Sequence, residues 1–168
     1  MKVFKVFNIE FDGIDKSGKN SIKKQIFAVA PNKYIPKARG IMSQIAYSKM
    51  FNRDYAYDVS QGYIDNTLFV YLKVDKDDWD VRCELTHEHE NNKKRSDVEG
   101  KIKYKNSVEA FDYAYEQLNR MVSDKRHLMV FNTSDTTQIN VIKAVVKRME
   151  ELNADDAVNA KQLELNLN

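Results

Sequence analysis

Residues 13–19 read GIDKSGK: two glycines separated by four residues, with a lysine directly after the second. They follow VFKVFNIEF at residues 3–11, an alternating run rich in Val and Phe that predicts a central strand. Downstream, Ile22, Ile26 and Val29 recur at helical spacing before Pro31, which predicts a helix over residues 19–30. A strand, a glycine-bounded loop and a helix in this order make an anion cradle. The glycines let the backbone approach closely, the N–H groups and the helix N-terminus carry partial positive charge, and Lys19 reaches the outer phosphates. In such a loop the residue after the lysine is usually Ser or Thr, whose hydroxyl helps to hold Mg²⁺; here it is Asn20.

The rest of the chain must supply a fold around this loop. A second helical pattern covers residues 41–51, with Ile41, Ile45 and Ala46 on one face. TLFVYLKV at residues 67–74 is nearly continuous in apolar residues, as a buried parallel strand requires. Residues 75–85 predict a helix whose acidic start suits its positive end. A wholly polar stretch follows, then a helix over residues 107–122, a third strand at 127–133 and an amphipathic helix over 138–152. Strands separated by helices imply βαβ units, hence an α/β fold with a parallel sheet flanked by helices. KYIPKA at residues 33–38 is weak as a central strand, because Pro36 cannot donate to the ladder. The expected organisation is one domain over residues 1–152 and a loosely held polar tail over 153–168.

Composition narrows the function classes. A chain of 168 residues can bury a real core without staples. The formal net charge of +2 argues against strong nucleic-acid binding. The single Cys83 excludes an internal disulfide and fits a reducing cytoplasm. No apolar run reaches the length of a membrane span.

The motif FDGIDKSGKNS at residues 11–21 resembles the signature of the thymidylate kinase family. ARGIMSQIAYSKMF at 38–51 is similar to that family's Asp-Arg segment followed by a serine and an Ala-Tyr or Val-Tyr pair. LFVYLKVDKDDWDVR at 68–82 is similar to the strand, acidic-start helix and arginine that lead into its lid. The order holds over residues 3–152, and short phage-type deoxynucleoside monophosphate kinases are the most similar in form. The resemblance implies a P-loop nucleoside monophosphate kinase-like fold of three layers with a reduced sheet, located in the cytoplasm, using ATP and Mg²⁺ to phosphorylate a deoxynucleoside monophosphate such as dTMP. It implies that Gly13, Asp15, Ser17, Gly18, Lys19, Asn20 and Ser21 hold ATP. Lys19, Lys16, Arg39 and Arg82 would serve catalysis, Arg39 gripping the acceptor phosphate with paired donors. Asp15, Arg39, Ser43, Tyr47 and Phe51 would border the acceptor nucleotide. Lys93, Lys94 and Arg95 would bring charge from a lid over residues 86–104. Asn20 is the candidate Mg²⁺ ligand.

The chain departs from that pattern in ways that matter chemically. Asn20 offers an amide oxygen, a poorer Mg²⁺ ligand than a hydroxyl. Ala38 stands where the family has a carboxylate before the arginine, and Thr86 where a second lid arginine belongs. The strand and helix between the loop helix and Arg39 are nearly absent. Two functions therefore stay open: a deoxynucleoside monophosphate kinase, or a catalytically weakened relative that binds nucleotide or regulates a partner protein. QLELNL at residues 162–167 resembles the peptides by which bacterial replication proteins dock on the sliding clamp, through Gln162, Leu163, Leu165 and Leu167. An incidental amphipathic end is the plainer reading of it, and homodimerisation is also open. HEHE at residues 87–90 has metal-ligand residue types but no partner at suitable spacing, so it reads as polar loop. Trp79, Tyr113 and Tyr115 read as packing residues and Cys83 as an idle thiol.

Overall fold

The computed structural model describes the backbone of residues 6–54, 59–89 and 97–166, and the side chains of these except 86–102 and 155–166. Its elements are β1 (Asn8–Asp12), α1 (Lys19–Val29), β2 (Ile35–Ala38), α2 (Ile41–Met50), α3 (Gln61–Asp65), β3 (Thr67–Lys73), α4 (Lys76–His89), α5 (Asp97–Met121), β4 (Leu128–Asn132) and α6 (Gln138–Asn166), with a 3₁₀ turn just before β4. The four strands pair in the order β2-β1-β3-β4, all parallel. β1 is thus central, and its C-terminal end opens directly into the glycine loop.

Successive strand residues point to opposite faces of a sheet, and this period divides the core in two. On one face Ile9 and Phe11 of β1 and Leu68, Val70 and Leu72 of β3 pack against α1 and α6 through Ile22, Ile26, Val141 and Val145. On the other, Phe69 and Tyr71 meet α2 and α5 through Met42, Ile45, Phe111 and Ala114. Each such side chain contributes about 1.5–3 kcal/mol of apolar transfer free energy. Helices on both faces of a parallel sheet make three layers.

Several sequence expectations are revised. KYIPKA does form a strand, but at the sheet edge, where Pro36 lies opposite Ile9. The N–H groups of Ile35 and Arg39 donate to Phe7 and Phe11 of the β1 segment. By alternation, position 36 turns its nitrogen to the open edge, where a missing N–H costs no ladder bond. Val29 is exposed, not on the packed face of α1. The polar stretch expected as a lid loop is helical up to His89 and again from Asp97. The tail continues α6 to Asn166. The side chains of His87, Glu90, Lys93, Lys94, Arg95, Gln162, Leu163, Leu165 and Leu167 lie outside the described residues. No described helix is long and apolar enough to cross a membrane.

Candidate functional site

The glycine loop takes the shape that its sequence demands. Gly13 has φ +146°, and a Cβ there would sit 2.1 Å from the Leu72 carbonyl oxygen on β3. Only glycine lets the chain turn this close to the neighbouring strand. The loop carbonyls are engaged on two sides. Lys19, almost fully buried, folds its ammonium back to donate to Gly13 O (2.7 Å), Ile14 O and Ser17 Oγ (3.3 Å). From α4, Trp79 Nε1 donates to Asp15 O (3.0 Å) and Arg82 Nη1 to Lys16 O (2.9 Å). Arg82 also donates to Thr133 Oγ1 and Thr133 O, which fastens the loop to the end of β4. Among the described residues, the N–H groups of Lys16, Gly18, Lys19 and Asn20 meet no acceptor. A loop with occupied carbonyls and free N–H groups at a helix start is an anion receptor. Burial holds the Lys19 ammonium down at a pKa of about 8, against the opposing pull of Asp15 and Asp12.

Under this loop lie two carboxylates that the sequence reading did not single out. Asn8, Glu10 and Asp12 alternate with Ile9 and Phe11 and so face away from the α1/α6 core. All three are buried. Glu10 and Asp12 aim at the first turn of α2, whose residue Gly40 brings no side-chain cap. Glu10 Oε2 accepts from Ile41 N (2.9 Å), while Oε1 accepts from the Tyr63 hydroxyl. Asp12 Oδ1 accepts from Gly40 N (2.8 Å), Ser43 N (3.1 Å) and Ser43 Oγ. Carboxylates at a helix N-terminus satisfy otherwise orphaned donors and meet the positive end of the dipole. The approach is tight: a Cβ on Gly40 would lie 1.9 Å from Glu10 Oε2. Burial pushes both carboxyls above the usual carboxylate range, and the hydrogen bonds oppose it. Asp12 Oδ2 is buried and accepts from no described residue.

Beside the loop, α2, α4 and α5 enclose a cleft of about 150 Å³. Tyr47 and Met50 of α2 and Phe51 just after it form one wall; Lys103, Tyr104, Ser107 and Phe111 of α5 form the other. Trp79 lies at the back and Ile14 and Asp15 at the loop side. Tyr47 stacks on Phe51 with centroids 6.3 Å apart and meets Phe111 edge-on at 6.0 Å. At the rim, Asp15 stands between two cations: Arg39 Nη2 at 3.7 Å and Lys103 Nζ at 3.9 Å. Arg39 has φ +70° and an exposed side chain.

The structure thus brings Asp15, Arg39, Tyr47 and Phe51 together. Ser43 is elsewhere: it is buried on Asp12 and does not line the cleft. Ser21 donates to Gln138 Oε1 (2.8 Å) at the start of α6, a neighbour with no motif to announce it. Asn20 is exposed in the first turn of α1. Trp79, read from sequence as packing, both lines the cleft and holds the loop. Lys103 and Ser107 also escaped the sequence reading, since only the tertiary fold carries α5 to the loop. No group of three or more His, Cys, Asp or Glu side chains suited to a metal ion occurs among the described residues.

Neither a protein-family model nor a curated protein matches the sequence. Among solved structures, the chain is similar to the YorR protein of Bacillus subtilis, crystallised in complex with phosphorylated GDP. The two share 14% identity with a TM-score of 0.58, over 85% of this chain and 95% of that one. At this identity the likeness speaks for the fold alone: the chain has an α/β fold with a four-stranded parallel sheet between two helical layers.

Proposed function

We propose that the protein is a deoxynucleoside monophosphate kinase of thymidylate kinase-like form, binding ATP at the glycine loop and a monophosphate acceptor in the adjoining cleft. One observation carries this reading. An anion-receiving loop with a buried lysine opens beside an aromatic-walled cleft, and Arg39 and Lys103 flank Asp15 at the boundary between them. Phosphoryl transfer needs two phosphates placed in line and their charge neutralised, more than it needs a strong base. The loop N–H groups and Lys19 would hold the ATP phosphates. For Lys19 this means exchanging the carbonyls of Gly13 and Ile14 for phosphate oxygens. Arg39 and Lys103 would leave Asp15 for the acceptor phosphate, freeing that carboxylate to accept from the sugar hydroxyl. Flat aromatic walls suit a base. The packing of Tyr47 between Phe51 and Phe111 keeps the cleft narrow, which supports deoxyribose over ribose.

Arg82 would act in the nucleotide-free state by bracing the loop from α4, with Lys16 beside the migrating group. Mg²⁺, when bound, would supply charge neutralisation for the transfer. The residues present fit it through an unpartnered buried carboxylate oxygen, Asp12 Oδ2, better than through the exposed amide of Asn20.

The test is calorimetry and turnover with ATP and each deoxynucleoside monophosphate. Guanine nucleotides belong in the panel because YorR was solved with phosphorylated GDP. Arg39→Ala should weaken monophosphate binding about 10- to 100-fold, the worth of a charge-assisted contact of about 1.5–3 kcal/mol, and leave ATP binding intact. Loss of ATP binding, or retained monophosphate binding, would show that the acceptor site is elsewhere. A second reading, a nucleotide-binding relative with weakened catalysis, is favoured by Asn20 and Ala38. It predicts ATP binding without turnover on any acceptor.

A further inference from the structure

We propose that Asp12 anchors the divalent cation that accompanies the nucleotide, taking the part that a hydroxyl at position 20 would otherwise play. This rests on the phosphate-loop reading above. Three facts converge on Asp12. Its Oδ1 alone does the capping, accepting from Gly40 N, Ser43 N and Ser43 Oγ, so α2 has no need of the second oxygen. That second oxygen is buried, in a residue 1% exposed, and it accepts from no described residue. A buried carboxylate oxygen without a donor is costly, and such an atom persists most readily where a ligand completes it. Finally, the residue itself sits at the root of the loop, since Asp12 directly precedes Gly13, whose carbonyl holds the Lys19 ammonium at 2.7 Å.

Glu10 provides an internal comparison. It projects from the same face of β1 and is buried like Asp12, yet both its oxygens are committed, to Ile41 N and to Tyr63. Of the two carboxylates only Asp12 has an oxygen to give. The strand register places it at the end of the sheet where the glycine loop begins. Ala38 pairs with Phe11, so Asp12 lies one residue further along the adjacent strand, at the same end of the sheet. Mg²⁺ favours hard oxygen donors, keeps several of its waters and is commonly held by one or two carboxylates plus the substrate phosphates. A single buried carboxylate, directly or through a retained water, meets that requirement. The neutral, exposed amide of Asn20 meets it poorly.

The experiment is a Mn²⁺ titration of the full chain with a non-hydrolysable ATP analogue, followed by electron paramagnetic resonance, with analogue affinity measured by calorimetry in EDTA. Asp12→Asn keeps an oxygen to cap α2. It should weaken Mn²⁺ binding to the protein–analogue complex at least about tenfold, the usual scale for losing a metal-supporting group. Metal-free analogue affinity should stay within about twofold of wild type. Asn20→Ala, an exposed change that keeps the fold, should leave Mn²⁺ affinity within about twofold. Unchanged Mn²⁺ affinity in Asp12→Asn overturns the proposal. So does a tenfold loss in Asn20→Ala, which decides the matter alone if Asp12→Asn does not fold. Lys19→Ala keeps the two readings apart: intact analogue binding in EDTA in that variant would sink the phosphate loop itself, whatever Asp12 does.

Discussion

The buried ammonium of Lys19 should make the protein less stable than it could be, and Lys19→Met measures by how much. In the nucleotide-free protein burial lowers this pKa from 10.5 to about 8. A displacement of about 2.5 units, at about 1.4 kcal/mol each, means that the charged form costs about 3–4 kcal/mol near neutral pH. Methionine fills similar space without charge but leaves the carbonyls of Gly13 and Ile14 without their donor, at about 1 kcal/mol each. The variant should therefore be about 1–2 kcal/mol more stable without nucleotide, a rise in Tm of about 2–8 °C for a domain of this size. The sign with pH follows from linkage. Between pH 8 and 10.5 the unfolded lysine keeps its proton while the folded one has lost it, so wild-type stability gains as pH rises through that window. The advantage of Lys19→Met is thus full at pH 7 and fades above pH 8. Urea unfolding of both proteins at pH 7 and pH 9.5, with and without ATP, is the assay. ATP should reverse the order, stabilising only the wild type. A variant less stable than wild type at pH 7 without nucleotide would refute the reasoning: the lysine would then be a net structural tie, and its return to the carbonyls a gain.

Two further outcomes follow from the loop. Gly13→Ala should destabilise by at least about 2 kcal/mol in urea unfolding, because its Cβ would meet the Leu72 carbonyl at 2.1 Å and neither backbone can yield; a neutral effect would mean that the β1 turn is placed wrongly. Asn20→Ser should raise turnover in a coupled kinase assay by adding a hydroxyl ligand next to Lys19; unchanged turnover puts the limitation at Ala38 or in the shortened β2 region.

What was legible in the sequence was what is local. GIDKSGK declares itself because its spacing is its geometry, and β3 because a strand buried on both faces is apolar throughout. The cleft is different. Lys103, Ser107 and Phe111 reach Tyr47 only through the packing of α5 on α2, and nothing in their own stretch marks them. Pro36 hid β2 because its cost depends on which side of the strand is open, a tertiary fact. The helical extents of α4, α5 and α6 were missed for another reason. Residues 85–89 and 153–166 lack a strong apolar period, yet Ala, Glu, Lys, Gln and Leu favour helix by intrinsic propensity.

Glu10 and Asp12 show why such a site escapes a reading by periodicity. In VFKVFNIEFD they look like the polar half of an alternating strand, which predicts solvent. Instead that face is covered by the start of α2, and the helix has no cap of its own to offer. The two carboxylates serve as that cap from across the sheet, at a distance in sequence of about thirty residues. Gly40, which leaves room for Glu10, and Arg39, whose N–H binds Phe11 O, are fixed by the same contacts. Two charges buried for the sake of one helix start would be a poor trade against apolar residues. Their position argues for more: they tie Arg39, which pairs with Asp15 beside the cleft, to the strand that carries the glycine loop. The spacing between the glycine loop and Arg39, the two places proposed to hold phosphate, is thereby set by β1 itself.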